Sequence, residues 1–294
     1  MAAFNRVELL VILAMLALLA VTLLPALART GAQPQGTQCV NNLRQITKAW
    51  LMYADDNGGH FPPNPDYNVA PRWVAGDMRG GIIGPPYSGI DATNTALLTN
   101  AAFSVLGPYM KNPALFKCPA DLSTWYGMPR VRSYSMNAAV GCEINGQASY
   151  NGHYIGHWLV GTSGSPTPPW RIYLTESGIT APRPSDLFVL LDEHPDTIND
   201  AGLAVEMPLN PSNTYFIDWP AKHHNNACNF SFADGHAETH QWQMPQGIIT
   251  EVWAADTGFN IGNGNPSVPN DPDIRWLSHH TTAPVPGATN VYYP

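Results

Sequence analysis

The longest apolar stretch of this chain lies near its start and limits what the chain can fold into. From Leu9 to Ala28 the sequence LLVILAMLALLAVTLLPALA carries no charge. Twenty residues at about 1.5 Å of rise reach about 30 Å, the thickness of a bilayer's hydrocarbon core. A helix that is apolar all round must be buried on every side, in a membrane or among other helices. Glu8 stands at the mouth of this run. A carboxylate there is unfavourable by roughly a few kcal/mol unless it lies near the interface, is protonated or meets a cation.

In residue type and spacing, Phe4, Glu8 and Pro25 resemble the N-terminal segment of type IV pilin-like proteins. The resemblance implies a leader of residues 1–3, cut by a prepilin peptidase between Ala3 and Phe4, with methylation of the new amino group. The family usually has glycine where Ala3 stands. Glu8 would pair with the terminal amine of a neighbouring subunit, a suitable cation for a buried carboxylate. Pro25 would interrupt the helix. The implied location is the inner membrane, crossed once, before assembly into a cell-surface or extracellular filament or a periplasmic one. The plainer reading is a signal peptide or anchor with Glu8 in the headgroup zone.

The break after this run follows from proline chemistry. Pro25 and the segment RTGAQPQG (29–36) are too rich in breakers for regular helix, so a kink or melted stretch is expected over about 25–36, with Thr37 as the next N-cap. From Cys39 to Asp56 the apolar residues Val40, Leu43, Ile46, Ala49, Trp50, Met52 and Tyr53 recur at three-to-four spacing, an amphipathic helix ended by Asn57-Gly58-Gly59. The chain as a whole holds 25 Gly, 28 Pro and only 12% charged residues, a composition that favours turns, short strands and ordered loops. Net charge is −8 with no basic stretch, so nucleic acid is not an expected partner.

Leu187 to Leu191 is a continuous apolar run between turns, a buried strand. Ser133 to Asn137 alternates as a short strand does. Residues 229–242 alternate on both sides of Asp234-Gly235, a strong hairpin signal. The expected fold is α+β: a long N-terminal helix over residues 4–57, kinked near Pro25, packed on an antiparallel sheet. Residues 58–294 form one β-rich globular domain with large irregular loops.

A second signature makes the resemblance more specific. His224, nine residues, then Asp234-Gly235 matches the H-X9-DG pattern of a large class of pilin-like proteins, over residues 224–235. Cys39-Val40-Asn41-Asn42-Leu43, Phe116-Lys117-Cys118-Pro119, Ser133-Tyr134-Ser135-Met136-Asn137 and Asp192-Glu193-His194 also resemble that class. The chain is thus similar to type IV pilin-like and type II secretion pseudopilin-like proteins. The resemblance implies a subunit of a homo-oligomeric pilus-like filament or secretion pseudopilus, joined through N-terminal helices and without enzymatic activity. The alternative is a membrane-anchored surface module that binds a glycan or protein and does not polymerise; aromatics in loop-like stretches, such as Trp125, Tyr126 and Trp158, suit it.

Four cysteines stand at 39, 118, 142 and 228, none in a CxxC pair. Export would permit disulfides. Three pairings are open, and the expected one is Cys39–Cys118, tying helix to domain, with Cys142–Cys228. At the end of the buried strand, Asp192, Glu193, His194, Asp196 and Asp200 gather acidic groups. Hard oxygen donors at that density suit Ca²⁺, which pseudopilins often carry. With the hairpin abutting this strand, His224 and Asp234 complete the candidate ligand set of Asp192, Glu193, Asp196, Asp200, His224 and Asp234. The plainer reading leaves Asp234 making the turn and the acidic run solvated. A catalytic zinc or two-metal hydrolase would draw on Asp192, His194, His224 and Asp234, but no HExxH motif, phosphate loop or GxSxG elbow is present, so no catalytic residues are assigned.

Overall fold

The computed structural model describes residues 6, 10–16, 32–65, 70–78, 90–142, 158–159, 169–208, 210, 216–243, 270–289 and 291–293. A two-residue ribbon pair, β1 (Thr124–Trp125) and β2 (Met128–Pro129), leads into the main sheet. That sheet comprises β3 (Tyr134–Asn137), β4 (Phe188–Asp192), β5 (Gly202–Leu203), β6 (Ala227–Phe232) and β7 (Ala237–Gln241). Its spatial order is β5–β3–β4–β6–β7. All neighbours are antiparallel except β3 and β5, which run parallel.

Helix α1 (Ala32–Asp56) crosses one face of this sheet, against β6, β7 and β4. Cys39, Leu43, Ile46, Trp50 and Ala54 are fully buried along it, the three-to-four spacing of one helix face. Trp50 stacks on Phe61 at 4.1 Å as the chain leaves the helix. On the opposite face lies α3 (Pro272–Thr281), which follows the one-turn α2 (Ala96–Thr99). There Ile274 and Leu277 join Phe188, Leu191, Cys228, Phe230 and Phe232 in a separate apolar cluster. Strand alternation explains the division. Cys228, Phe230 and Phe232 of β6 face α3, while Ser231 turns to α1, where its hydroxyl accepts from Thr47 Oγ1 at 2.6 Å. The β6–β7 hairpin turns at Asp234-Gly235; Gly235 sits at φ +92°, a left-handed position that glycine takes without steric cost.

The expected architecture needs correction. Among the described residues no long N-terminal helix runs from the apolar segment through a kink onto a sheet; a sheet forms the centre, and the helix on it is a shorter one of 25 residues. This helix already begins at Ala32, so residues 32–36 are not a break and Thr37 is not its N-cap. Pro34 falls in the first turn, where backbone N–H groups have no intrahelical acceptor to lose. The sheet is mixed rather than antiparallel, because β5 enters beside β3 in parallel.

The expected single-pass inner-membrane location is corrected too: among the described residues no helix is long and apolar enough to cross a membrane. Ala3, Phe4, Glu8 and Pro25 lie outside the described residues. Residues 10–16 are helical, with Leu10, Val11, Ile12, Leu13, Met15 and Leu16 all exposed.

Candidate functional site

Four side chains from distant parts of the sequence meet where α1, the sheet and two loops come together. They are Cys39, Cys118, Asp192 and His224, and their sulfur, oxygen and nitrogen atoms all lie within 4.8 Å of one another. Cys39 Sγ donates to Asp192 Oδ1 at 3.1 Å and Oδ2 at 3.2 Å. His224 Nε2 is 3.2 Å from Asp192 Oδ2 and 3.3 Å from Cys118 Sγ. Tyr134 Oη adds a fifth polar group, 3.3 Å from Cys39 Sγ.

Each group is placed by an identifiable local cause. Cys39 is on the core-facing stripe of α1. Asp192 ends β4 with its side chain on the α1 face, as alternation from Leu190 requires. Its backbone carbonyl accepts from Ala221 N–H at 2.8 Å and from the Cys228 thiol at 3.2 Å. Cys118 follows a 3-10 turn at Pro113–Phe116. The turn after it is pinned from several sides: Cys118 N–H donates to Ser133 Oγ at 3.0 Å, Ser133 Oγ donates to Asp121 Oδ2 at 2.5 Å, and Lys117 pairs with Asp121 at 2.6 Å. Asn42 of α1 reaches the Lys117 carbonyl at 3.1 Å, joining helix and loop.

His224 precedes a tight reversal in which Asn225 and Asn226 both take left-handed backbone, φ +61° and +62°. Asparagine tolerates that region better than most residues. The reversal sets His224 opposite Ala227 at the start of β6, and its ring packs over Gly36 of α1, where a Cβ would meet Nδ1 at 3.5 Å.

Burial and mutual contact shape the electrostatics. Burial pushes the Cys39 thiol and the Tyr134 phenol well above their ordinary values. The contact with Cys39 draws the Cys118 thiol down against its own burial. At His224 burial disfavours the charged ring, but the hydrogen bonds to Asp192 and Cys118 outweigh it and push the pKa up to about 10.

Of the six side chains expected to bind an ion, Asp192 and His224 meet here and the other four go elsewhere. Glu193 turns to the opposite face, where it accepts from Ser135 Oγ. Asp196 lies beside His194, 3.9 Å from Nδ1. Asp200 accepts from Gly202 N–H at 2.9 Å. Asp234 binds its neighbour His236 at 2.6 Å in the hairpin turn.

The proposed convergence of Asp234 with Asp192 fails on register. β4 and β6 are antiparallel, so Asp192 lies beside the start of β6, whereas Ala233 N–H bonds Leu187 at the other end of β4. The six residues of β6, about 20 Å of strand, separate the ends of the H-X9-DG motif. His194, a candidate for a catalytic site, packs against Trp219 at 5.7 Å, and its burial lowers its pKa to about 3.

The expected disulfides are absent: all four cysteines are thiols. Cys142 packs with Ala138 in one cluster and Cys228 lies in the α3-side cluster, so that pair does not meet. Cys39 and Cys118 do meet, but as thiols facing a carboxylate and an imidazole. Their role as members of a four-residue group is what the sequence reading missed, and Cys118, held between Lys117 and a proline-started loop, gave the nearest signal.

No protein family matches the chain, and no curated protein or solved structure matches it.

Proposed function

We propose that this chain is a non-enzymatic structural subunit of a pilus-like filament or secretion pseudopilus, similar to type IV pilin-like proteins, that assembles through its N-terminal helical segment. One observation carries the reading. Residues 10–16 are helical and expose Leu10, Val11, Ile12, Leu13, Met15 and Leu16, with relative exposures from 41% to 65%. The core of the folded part closes around α1 without them. Consecutive large apolar residues on every side of a helix leave no polar face for water, so they need cover. Equivalent helices of other copies would provide it, and the resemblance at Phe4 and Glu8 supports that choice.

The test is electron microscopy of the purified full-length chain beside a Glu8→Ala variant. Filaments from the unaltered chain that are lost or shortened in the variant are expected; monomers in both preparations overturn the reading. The second reading, a surface binding module, is favoured by the β1–β2 ribbon and the residues just before it, where Leu122 at 73%, Tyr126 at 68% and Met128 at 48% are exposed. Monomers that lose affinity for a glycan or protein ligand on Tyr126→Ala would support it.

A further inference from the structure

We infer that Cys39, Cys118, Asp192 and His224 form a closed, tetrahedral zinc site that fastens α1 to the sheet. The inference is independent of the filament reading, since it concerns the folded part alone.

Geometry comes first. Zinc bound to sulfur at about 2.3 Å and to nitrogen or oxygen at about 2.0–2.1 Å, with tetrahedral angles, requires ligand atoms about 3.3–3.8 Å apart. The observed separations of 3.1 Å and 3.2 Å from Cys39 to Asp192, 3.2 Å from His224 to Asp192, and 3.3 Å from Cys118 to His224 are slightly shorter than such edges. A small outward movement of side chains opens the cage. The four residues come from four separate segments, and their donor atoms all lie within 4.8 Å of one another, too close together to lie in a row.

Chemistry selects the ion. Two thiols, an imidazole and one carboxylate are a borderline-soft set that suits zinc. Calcium needs six to eight oxygen ligands, and this group offers one carboxylate. Binding releases the two thiol protons to solvent together with the Nε2 proton of the His224 ring, which then coordinates through Nε2 as the neutral ring. Zn²⁺ then offsets two of the three negative charges of the thiolates and the carboxylate. Without an ion, the fully buried Asp192 carboxylate relies on the Cys39 thiol and the His224 ring. The thiol is a weak donor, so the charge of Asp192 is met chiefly by the His224 ring. Tyr134 Oη at Cys39 Sγ is placed to hydrogen-bond a coordinated sulfur.

All four coordination positions are supplied by protein, so the site leaves no open position for water or substrate and is structural. Cys228 is close in space but on the other face of the sheet, where its thiol donates to the Asp192 carbonyl; it is not a ligand.

The experiment uses the full-length chain purified without chelator. Elemental analysis is expected to find one zinc per chain. Exchange into Co²⁺ is expected to give the intense visible bands of a tetrahedral ion and a near-ultraviolet thiolate charge-transfer band. Cys118→Ser and His224→Ala are expected to lose zinc, while Cys142→Ser retains it. Should the ligand variants fail to fold, thiol labelling of the unaltered native chain decides. Cys39 and Cys118 are then expected to be protected until chelator is added. A metal-free chain that gives no tetrahedral cobalt spectrum, an intact mass lowered by the two hydrogens of a disulfide, or zinc retained by both ligand variants overturns the assignment.

Discussion

Asp192 and Glu193 are neighbours in sequence, both buried, yet they enter opposite sides of the sheet and meet different chemistry. Glu193 goes to the side of Arg132, a fully buried guanidinium that donates to the carbonyls of Tyr134 at 2.8 Å, Gly76 at 3.0 Å and Asp200 at 2.6 Å. Burial, with Asp218 nearby, pushes the Glu193 carboxyl well up, while Ser135 and Arg132 pull against it. Burial likewise lowers Arg132 to about 10. The cation of that cluster is a guanidinium, which keeps its proton and offers no lone pair to a metal. Asp192, one residue earlier, faces two thiols and an imidazole on the α1 side. The contrast teaches that the partners of a buried carboxylate, rather than its burial, indicate whether a metal belongs beside it.

The contrast can be broken at several points. Chelation should have the largest effect. A site held at about a thousand times its dissociation constant contributes about 4 kcal/mol to stability, so excess chelator should lower the denaturant midpoint by a corresponding amount. Arg132→Met comes next: removing one partner of a buried charged cluster costs about 3 kcal/mol. Its unfolding curve should still shift with chelator, because the two clusters lie on opposite faces; loss of that shift would show that they are one unit.

Thr47→Val sharpens the comparison on the α1 side. It leaves the buried Ser231 hydroxyl without the Thr47 hydrogen bond and should cost about 1–2 kcal/mol while zinc content stays unchanged.

The smallest effect is at the far face. His280 stacks on Trp276 at 4.0 Å, and burial lowers its pKa despite Asp186 and Glu238 nearby. A base held below its unfolded value keeps its full contribution above about pH 6.5 and loses it as pH falls from there. Melting between pH 7 and pH 5 should therefore fall less in His280→Gln than in the unaltered chain.

Much of the fold around these clusters was legible in the sequence. The apolar run 187–191 became β4 with its end at Asp192, and the alternation about Asp234-Gly235 became the β6–β7 hairpin. The face of α1 could be read from its spacing, although its start could not, because Pro34 lies where a proline does no harm. Helix α3 was overlooked in a tail rich in Gly and Pro. Its signals are local and were present: Asp271 accepts from Asp273 and Ile274 N–H as the N-cap, and Pro272 opens the first turn.

The candidate site was half legible. Asp192 and His224 stood out as polar residues at strand ends, and Cys39 and Cys118 were expected to meet. What joined these pairs into one group was long-range register. The H-X9-DG spacing spans a whole strand, so it separates His224 from Asp234 rather than uniting them. Sequence spacing carries no information about which strand end lies beside which helix turn; the antiparallel pairing of β4 with β6 decides that.

The most direct test of the account is the zinc-edge X-ray absorption spectrum of the full-length chain. Two sulfur neighbours at about 2.3 Å and two nitrogen or oxygen neighbours at about 2.0–2.1 Å are predicted for Cys39, Cys118, His224 and Asp192. A first shell of nitrogen and oxygen alone, or of four sulfurs, would contradict it.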